Sequence, residues 1–190
     1  IIAQDHKNNF RLDIFPEYKS HRKKVRKPII VKPLKEYMFH NYETLTYPNL
    51  EGDDVCGIFA TQSLNKDKVV ILSGDKDLRT IPGIHHFIHD ESTEVVNENI
   101  ADYNFMYQTL VGDMTDGFAG CPSIGGVKAS RILANKKDLP EMWEAVVKEY
   151  EKQGLDEAYA LTQARLARIL RAQDWDSKRK KPILWRPNAK

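Results

Sequence analysis

Three short stretches of this chain crowd carboxylates together: Glu51-Gly52-Asp53-Asp54, Asp75-Lys76-Asp77 and Asp113-Met114-Thr115-Asp116, with Asp5 as a further candidate. Converging carboxylates repel and raise each other's pKa, so a fold keeps them ionised only with a compensating cation. An all-oxygen donor set selects hard ions, Mg²⁺ or Mn²⁺ first. Two or more such ions about 4 Å apart can share these acids; in phosphodiester hydrolysis one activates the attacking water and the other stabilises the leaving oxygen. Each group also suits a plainer role. Asp53 and Asp54 can cap a helix, Asp75 and Asp77 can sit in a turn, and Asp113 and Asp116 can serve a turn between Gly112 and Gly117. Three such coincidences, each at the end of an element, favour the joint metal reading.

The elements that must position these acids alternate in type. Lys68–Ser73 contains the continuous apolar run Val69-Val70-Ile71-Leu72, the pattern of a strand buried on both faces of a parallel sheet, and Gly74 breaks it just before Asp75. Ligands of open α/β sheets bind along the carboxyl edge of the strands. Residues 1–4 read as a strand ending near Asp5, Thr44–Tyr47 as a weak strand, and Val55–Leu64 as a helix led by Asp53 and Asp54. Up to eight acids then reach one edge. Beyond about residue 98 the strand signals stop. Asn99–Val111 is helix-like. Pro140 opens a helix striped with Trp143, Val146, Val147 and Tyr150, and Gly154 closes it. Asp156 caps a further helix to about Arg171, with Leu166, Ile169 and Leu170 on one side and Arg165, Arg168 and Arg171 on the other. The fold expected is α/β, a mostly parallel sheet flanked by helices over residues 1–98, followed by a helical part over residues 99–190.

The 190 residues carry a net charge of only +2, but the charges are segregated. Residues 19–35 hold eight Lys/Arg and no acid, and residues 177–190 hold six and none. This layout suits a polyanionic partner. Lys19, Arg22, Lys23, Arg26 and Lys27 recur at helical spacing, and Val25 is the one aliphatic residue among residues 18–27. Such a helix has no apolar face to dock, so it should stand away from the body until Pro28 ends it. The segment Gly120-Cys121-Pro122-Ser123-Ile124-Gly125-Gly126-Val127-Lys128-Ala129 offers glycines that admit close backbone approach, a helix N-terminus and a lysine. Those are the parts of a phosphate site, and equally of a plain helical turn. At 41% hydrophobic the chain can build a core, while its aliphatic runs reach only four residues, far from the about 20 that a membrane helix needs. No signal-peptide pattern opens the chain. Cys56 and Cys121 match no zinc or redox spacing and read as reduced thiols of a cytoplasmic protein. His85, His86 and His89 read as structural. Trp143 reads as core, and Trp175 and Trp185 as packing anchors for the C-terminal segment.

The ordered set Asp5, Phe10-Arg11, Pro16-Glu17-Tyr18-Lys19-Ser20-His21-Arg22, Glu51-Gly52-Asp53-Asp54, Gly74-Asp75-Lys76-Asp77 and Gly112-Asp113-Met114-Thr115-Asp116 resembles the flap endonuclease/5′-nuclease superfamily. Within it, Ala164–Leu170 and Leu184-Trp185-Arg186-Pro187 make the chain most similar to the 5′→3′ exonucleases of short-tailed DNA phages. The resemblance implies a PIN-like fold and divalent-metal ligands, direct or through water, at Glu51, Asp53, Asp54, Asp75, Asp77, Asp113 and Asp116. It places Asp5 in the same pocket. It puts Lys19 and Arg22 in a helical arch, over about residues 10–35, where they contact the scissile phosphate. Tyr18 becomes an arch-base aromatic, stacking on a nucleobase or simply packing. Gly120, Ser123, Gly125, Gly126 and Lys128 become a helix–two-turn–helix holding duplex phosphates, with a K⁺ ion. The implied partner is duplex DNA with a 5′ end or flap, met in phage-type replication or recombination in the host cytoplasm, by a monomer working beside other replication proteins.

Members of that superfamily begin with a strand carrying one more aspartate, upstream of the position of Asp5. This chain opens Ile1-Ile2-Ala3 and so reads as a fragment, or as a piece completed by another polypeptide. The readings left open are a 5′→3′ exonuclease, a structure-specific flap endonuclease, a DNA-binding fragment without catalysis, and a small-molecule phosphohydrolase. The basic arch argues against the last.

Overall fold

A computed structural model of the protein describes residues 1–24, 26, 28–66 and 68–187. Parallel pairing joins β1 (Ile2–Ala3) to β2 (Thr44–Leu45), and β3 (Val70–Ser73) to β4 (Gly83–Phe87); β5 (Ser92–Val96) runs antiparallel to β4. Helix α3 (Gly52–Thr61) packs on both β1 and β3 and ties the two sheets together. Its N-terminus is held by a capping box in which Glu51 accepts from the third residue of the helix and Asp54 from Glu51.

β3 departs from the expected double burial. Ile71 turns inward to join Ala60, Leu78, Ile81 and Ile169, whereas Val70 and Leu72 are 55% and 65% exposed. An uninterrupted apolar run cannot report which of its faces the fold covers. Here α3 and the C-terminal segment cover one.

The helical half is built from α4 (Glu98–Val111), α5 (Gly126–Leu133), α6 (Leu139–Lys152) and α7 (Glu157–Ala167). Asn97, Asp138 and Asp156 cap α4, α6 and α7 through their side chains. The expected α6 stripe is buried at Trp143, Val146 and Tyr150, against Phe105, Leu110, Ala160 and Ala164. Trp185 closes this core edge-on to Phe105 and Trp143, with ring centroids 5.2 and 5.0 Å away. Trp175 stacks on Tyr47. It lies in β6 (Trp175–Asp176), which pairs with β7 (Lys181–Pro182) in a short hairpin.

The largest difference from the sequence reading lies after α7. The helix ends at Ala167 instead of reaching Arg171, and Arg168 and Arg171 are 2% and 4% exposed instead of facing solvent. Carboxylates and carbonyls inside the fold receive them. Arg168 pairs with Asp174 and lies over the Phe105 ring; Arg171 pairs with Glu98 and Asp102 and donates to the Thr80 carbonyl. Matched partners offset much of the desolvation cost of burying a charge. Between them, Ile169 and Leu170 enter the core of the α/β half.

The basic stretch also differs. Among the described residues of 19–27 there is a 3-10 turn at Ser20–Lys24 rather than an α-helix, preceded by α1 (Arg11–Ile14) and followed by α2 (Val31–Asn41), which the sequence reading did not anticipate. Pro33 fits the first turn of α2, where its missing N–H costs no helical bond. α2 buries none of its residues. It is not the helix without an apolar face expected over residues 18–27, since it carries Leu34, Tyr37 and Phe39, all exposed. Among the described residues no helix is long and apolar enough to cross a membrane.

The C-terminal segment can sit on α3 because Gly57 has no side chain: a Cβ there would lie 2.2 Å from the Leu170 carbonyl oxygen. Gly57→Ala should lower stability by roughly 1–3 kcal/mol, as overpacking does, measured by urea unfolding. An unchanged midpoint would show that the contact does not anchor the segment.

Candidate active site

The acids follow four element ends. Asp5 lies just past β1. Glu51 caps α3, and Asp53 lies in its first turn. Asp75 caps the 3-10 helix Lys76–Thr80 just past β3, and Asp77 lies within it. Asp113 and Asp116 lie in the turn after α4. That turn is closed by two glycines with left-handed backbone, Gly112 (φ 72°) and Gly120 (φ 67°). They stand so close that a Cβ on either would meet the other's amide nitrogen within 2.5 Å.

Seven of the eight predicted acids line one cavity of about 450 Å³: Asp5, Glu51, Asp53, Asp75, Asp77, Asp113 and Asp116. Among the described residues no three are drawn into a closed ligand set. They line a wall rather than meet at a point, an arrangement open enough for an ion that keeps part of its water shell. The donors are all oxygen and their charge is incompletely offset. Burial first, then Asp75, Asp54 and Glu51, push the Asp53 carboxyl up to about 7, with Lys19 pulling the other way. Asp77 is raised by burial and by Asp75 and Asp113. Asp5 ends below its ordinary value: burial acts upward, and the Gly52 N–H and Lys35 outweigh it. A crowded, under-neutralised oxygen wall fits divalent cations.

Asp54 stands apart from the predicted metal set. It is fully buried behind the wall. Its Oδ1 accepts from Arg11 and from the Leu170 N–H, and its Oδ2 from Arg11 and the Glu51 N–H. Those bonds leave it facing away from the cavity. Arg11, to which the sequence reading gave no role, uses every donor it has: Nε to the Leu166 carbonyl, Nη1 to Glu51 and Asp54, Nη2 to Asp54 and the Arg168 carbonyl. The one hint in the sequence is an arginine set among Phe10, Leu12 and Ile14. Burial works against its charge, and Asp54 outweighs this to hold the guanidinium well above its ordinary value.

Lys19 and Arg22 lie on the rim. The Lys19 backbone is left-handed (φ 53°), a conformation a lysine adopts at some cost, and its N–H donates to the Asp116 carbonyl. Its ammonium spans Glu51 and Asp116, while Arg22 pairs with Asp116 at 3.1 Å. Lys35, missed in the sequence, pairs with Asp5 at 3.3 Å and brings α2 to the same rim. Arg26 is exposed. Lys27 lies outside the described residues, as does the side chain of Lys23.

Of the two readings of Tyr18 the structure shows packing, and the expected phosphate contact at Gly120 is corrected. Tyr18 is 2% exposed, with the Arg11 guanidinium 5.9 Å and the Lys19 ammonium 5.0 Å from its ring centroid, so its faces are closed to a base. Burial, then Glu51 and Asp116, hold its phenol well above the ordinary value, against Arg11. Gly120 is buried and its N–H donates to Gln163 Oε1, out of reach of a phosphate. Ser123, Gly125 and Lys128 of that motif are exposed, whereas Gly126 backs onto the Tyr107 hydroxyl, which would meet a Cβ there at 2.4 Å. Gly125 caps α5 without a side-chain bond, and space surrounds it; Lys128 Nζ donates to the Ser123 carbonyl at 2.9 Å.

The 5′-3′ exonuclease, N-terminal resolvase-like domain matches residues 1–106. Escherichia phage T7 exonuclease is 30% identical over an alignment covering 98% of this chain and 73% of that protein. Enterobacteria phage T3 exodeoxyribonuclease is 28% identical, covering 100% and 74%. In three dimensions the chain overlays a bacteriophage T5 flap endonuclease, solved in a pseudo-enzyme–product complex with DNA and metal ions, with a TM-score of 0.62 at 17% identity over 86% of this chain and 71% of the other. The last comparison carries the fold; the first two carry the lineage, and the chain belongs to the 5′-3′ exonuclease family, whose members are metal-dependent nucleases.

Proposed function

We propose that this chain hydrolyses phosphodiester bonds from the 5′ end of duplex DNA, with Mg²⁺ or Mn²⁺, two or more ions, held by Glu51, Asp53, Asp75, Asp77, Asp113 and Asp116 beside Asp5. The observation that carries this reading is the seven-carboxylate wall with a lysine and an arginine on its rim. The bound ions supply an activated water and a counter-charge for the leaving oxygen. The protein's own groups do the positioning. Lys19 and Arg22 present cations where a scissile phosphate enters. The uncapped first turn of α5, with Lys128, offers N–H groups and charge to the phosphates of the duplex. The cation at the Ser123 carbonyl is here the protein's own, Lys128, beside the carbonyl type a K⁺ ion would also use.

The activity test uses 5′-labelled duplex DNA. Mg²⁺-dependent release of label should vanish with EDTA and with Asp75→Ala, while DNA binding survives. Release that persists under full chelation would overturn the reading. Salt-sensitive binding without release would leave a DNA-binding module.

A second test uses pH. Metal binding needs Asp53 ionised, so protons compete with the ion below about 7. Mn²⁺ affinity should climb between pH 6 and 8 and then level, and Asp53→Asn should weaken binding and flatten the climb. Without metal the sign reverses. The folded carboxyl holds its proton more tightly than the unfolded one, so stability from this group falls as pH rises from the ordinary 3.8 to about 7. Thermal melts of the metal-free protein and of Asp53→Asn across that window check the slope.

A further inference from the structure

The two carboxylates flanking the mouth of the cavity come from different halves of the molecule, Glu51 from the start of α3 and Asp116 from the turn after α4. Both are partly exposed, at 18% and 23%. Two side chains join them. Lys19 Nζ reaches Glu51 Oε1 and Asp116 Oδ1. Tyr18 Oη lies 3.0 Å from Glu51 Oε2 and 2.7 Å from Asp116 Oδ2. Each carboxylate thus gives one oxygen to the lysine and the other to the phenol, and the four side chains close a ring.

The two bridges are not equivalent. Lys19 is 23% exposed on a flexible stem, and it can leave the carboxylates for a phosphate. Tyr18 cannot. Its ring is packed in the core cluster that includes Phe105, Phe118 and Trp185, with the cations of Arg11 and Lys19 within 6 Å of its centroid. A rigid phenol carries one proton. It can donate to either carboxylate and keeps their nearer oxygens at a fixed separation.

We infer that Tyr18 is a positioning residue of the metal centre: its hydroxyl ties Glu51 to Asp116 and sets the spacing across the mouth of the acidic wall. The inference rests on the metal-dependent reading above. Without the hydroxyl, Glu51 and Asp116 are left to Lys19, which they share, and to Arg11 and Arg22 respectively; the rigid link between them is gone, and each gains rotamer freedom it must lose again to hold an ion. Partners that orient metal ligands in this way are typically worth about 10–100-fold in metal affinity. Such a role places the tyrosine behind the ligands, as a brace between halves, rather than against the nucleic acid.

The test is Mn²⁺ binding by electron paramagnetic resonance, without DNA, on the full chain and on Tyr18→Phe, with thermal melts beside it. The variant keeps the ring and removes only the bridge. It should melt cooperatively and bind Mn²⁺ about 10-fold or more weakly. A merely structural tyrosine would lower the melting temperature and leave the Mn²⁺ affinity of the folded protein within about twofold of the parent, and that result overturns the inference alone. A parent chain that takes up no Mn²⁺ overturns the metal-dependent reading with it. Should Tyr18→Phe fail to fold, neutralising one side with Tyr18→Phe/Glu51→Gln should restore folding by removing the repulsion; no rescue overturns the bridge.

Discussion

The guanidinium of Arg11, buried and paired with Asp54, is the fixed charge around which this molecule is organised. Its five N–H groups reach α3, the end of α7 and the segment beyond it. A buried ion pair gives little net stability against a hydrophobic alternative, but removing one partner leaves an uncompensated charge and costs about 3–5 kcal/mol. Its value here is directional. A planar fork with every donor engaged allows only one placement of Asp54, and Asp54 in turn receives the Glu51 N–H and fixes the start of the helix that carries Glu51 and Asp53. The geometry of the acidic wall is inherited from a cation that lies beneath it.

The wall is under electrostatic tension for the same reason that it can do chemistry. Seven carboxylates share one cavity, and Asp53, raised first by burial and then by Asp75, Asp54 and Glu51, holds its proton to about 7. Three of the acids are braced by backbone N–H groups: Asp5 by Gly52, Asp75 by Asp77 and Asp113 by Thr115. These backbone bonds aim the carboxylates while leaving other lone pairs free. Strain concentrates nearby, in the left-handed backbone of Lys19 and the back-to-back glycines of the Asp113–Asp116 turn.

Much of this was legible in the sequence. The acid clusters stand at element ends because turns and helix starts tolerate them, and a reader can find them by spacing. The α6 stripe, Pro140 in its first turn and the cap at Asp156 rest on local rules that tertiary structure did not override. What stayed hidden depends on partners far along the chain. Arg168 and Arg171 look like the polar face of a continuing helix until Asp174, Asp102 and the Thr80 carbonyl are seen to receive them. Asp54 looks like its neighbour Asp53, and only the facing Arg11 separates a structural carboxylate from a cavity-lining one. Tyr18 could stack on a base or pack in the core, and its cationic neighbours in sequence do not say which. α2 hides in the same stretch, since proline and lysine mask its helical spacing.

The bonds that Arg11 makes to the Leu166 and Arg168 carbonyls span 155 and 157 residues of sequence. Contacts of that range carry a loop-closure cost that local ones do not, and they cannot form until both partners have been synthesised. As the chain leaves the ribosome, the α/β half, with most of its acids, emerges long before the segment that locks Arg11 in place. The acids of a nascent chain are present but not yet aimed. The order of synthesis delays the finished cavity until both halves can close on it, so a chain able to grip metal and nucleic acid in the right geometry is one whose synthesis has already passed residue 168.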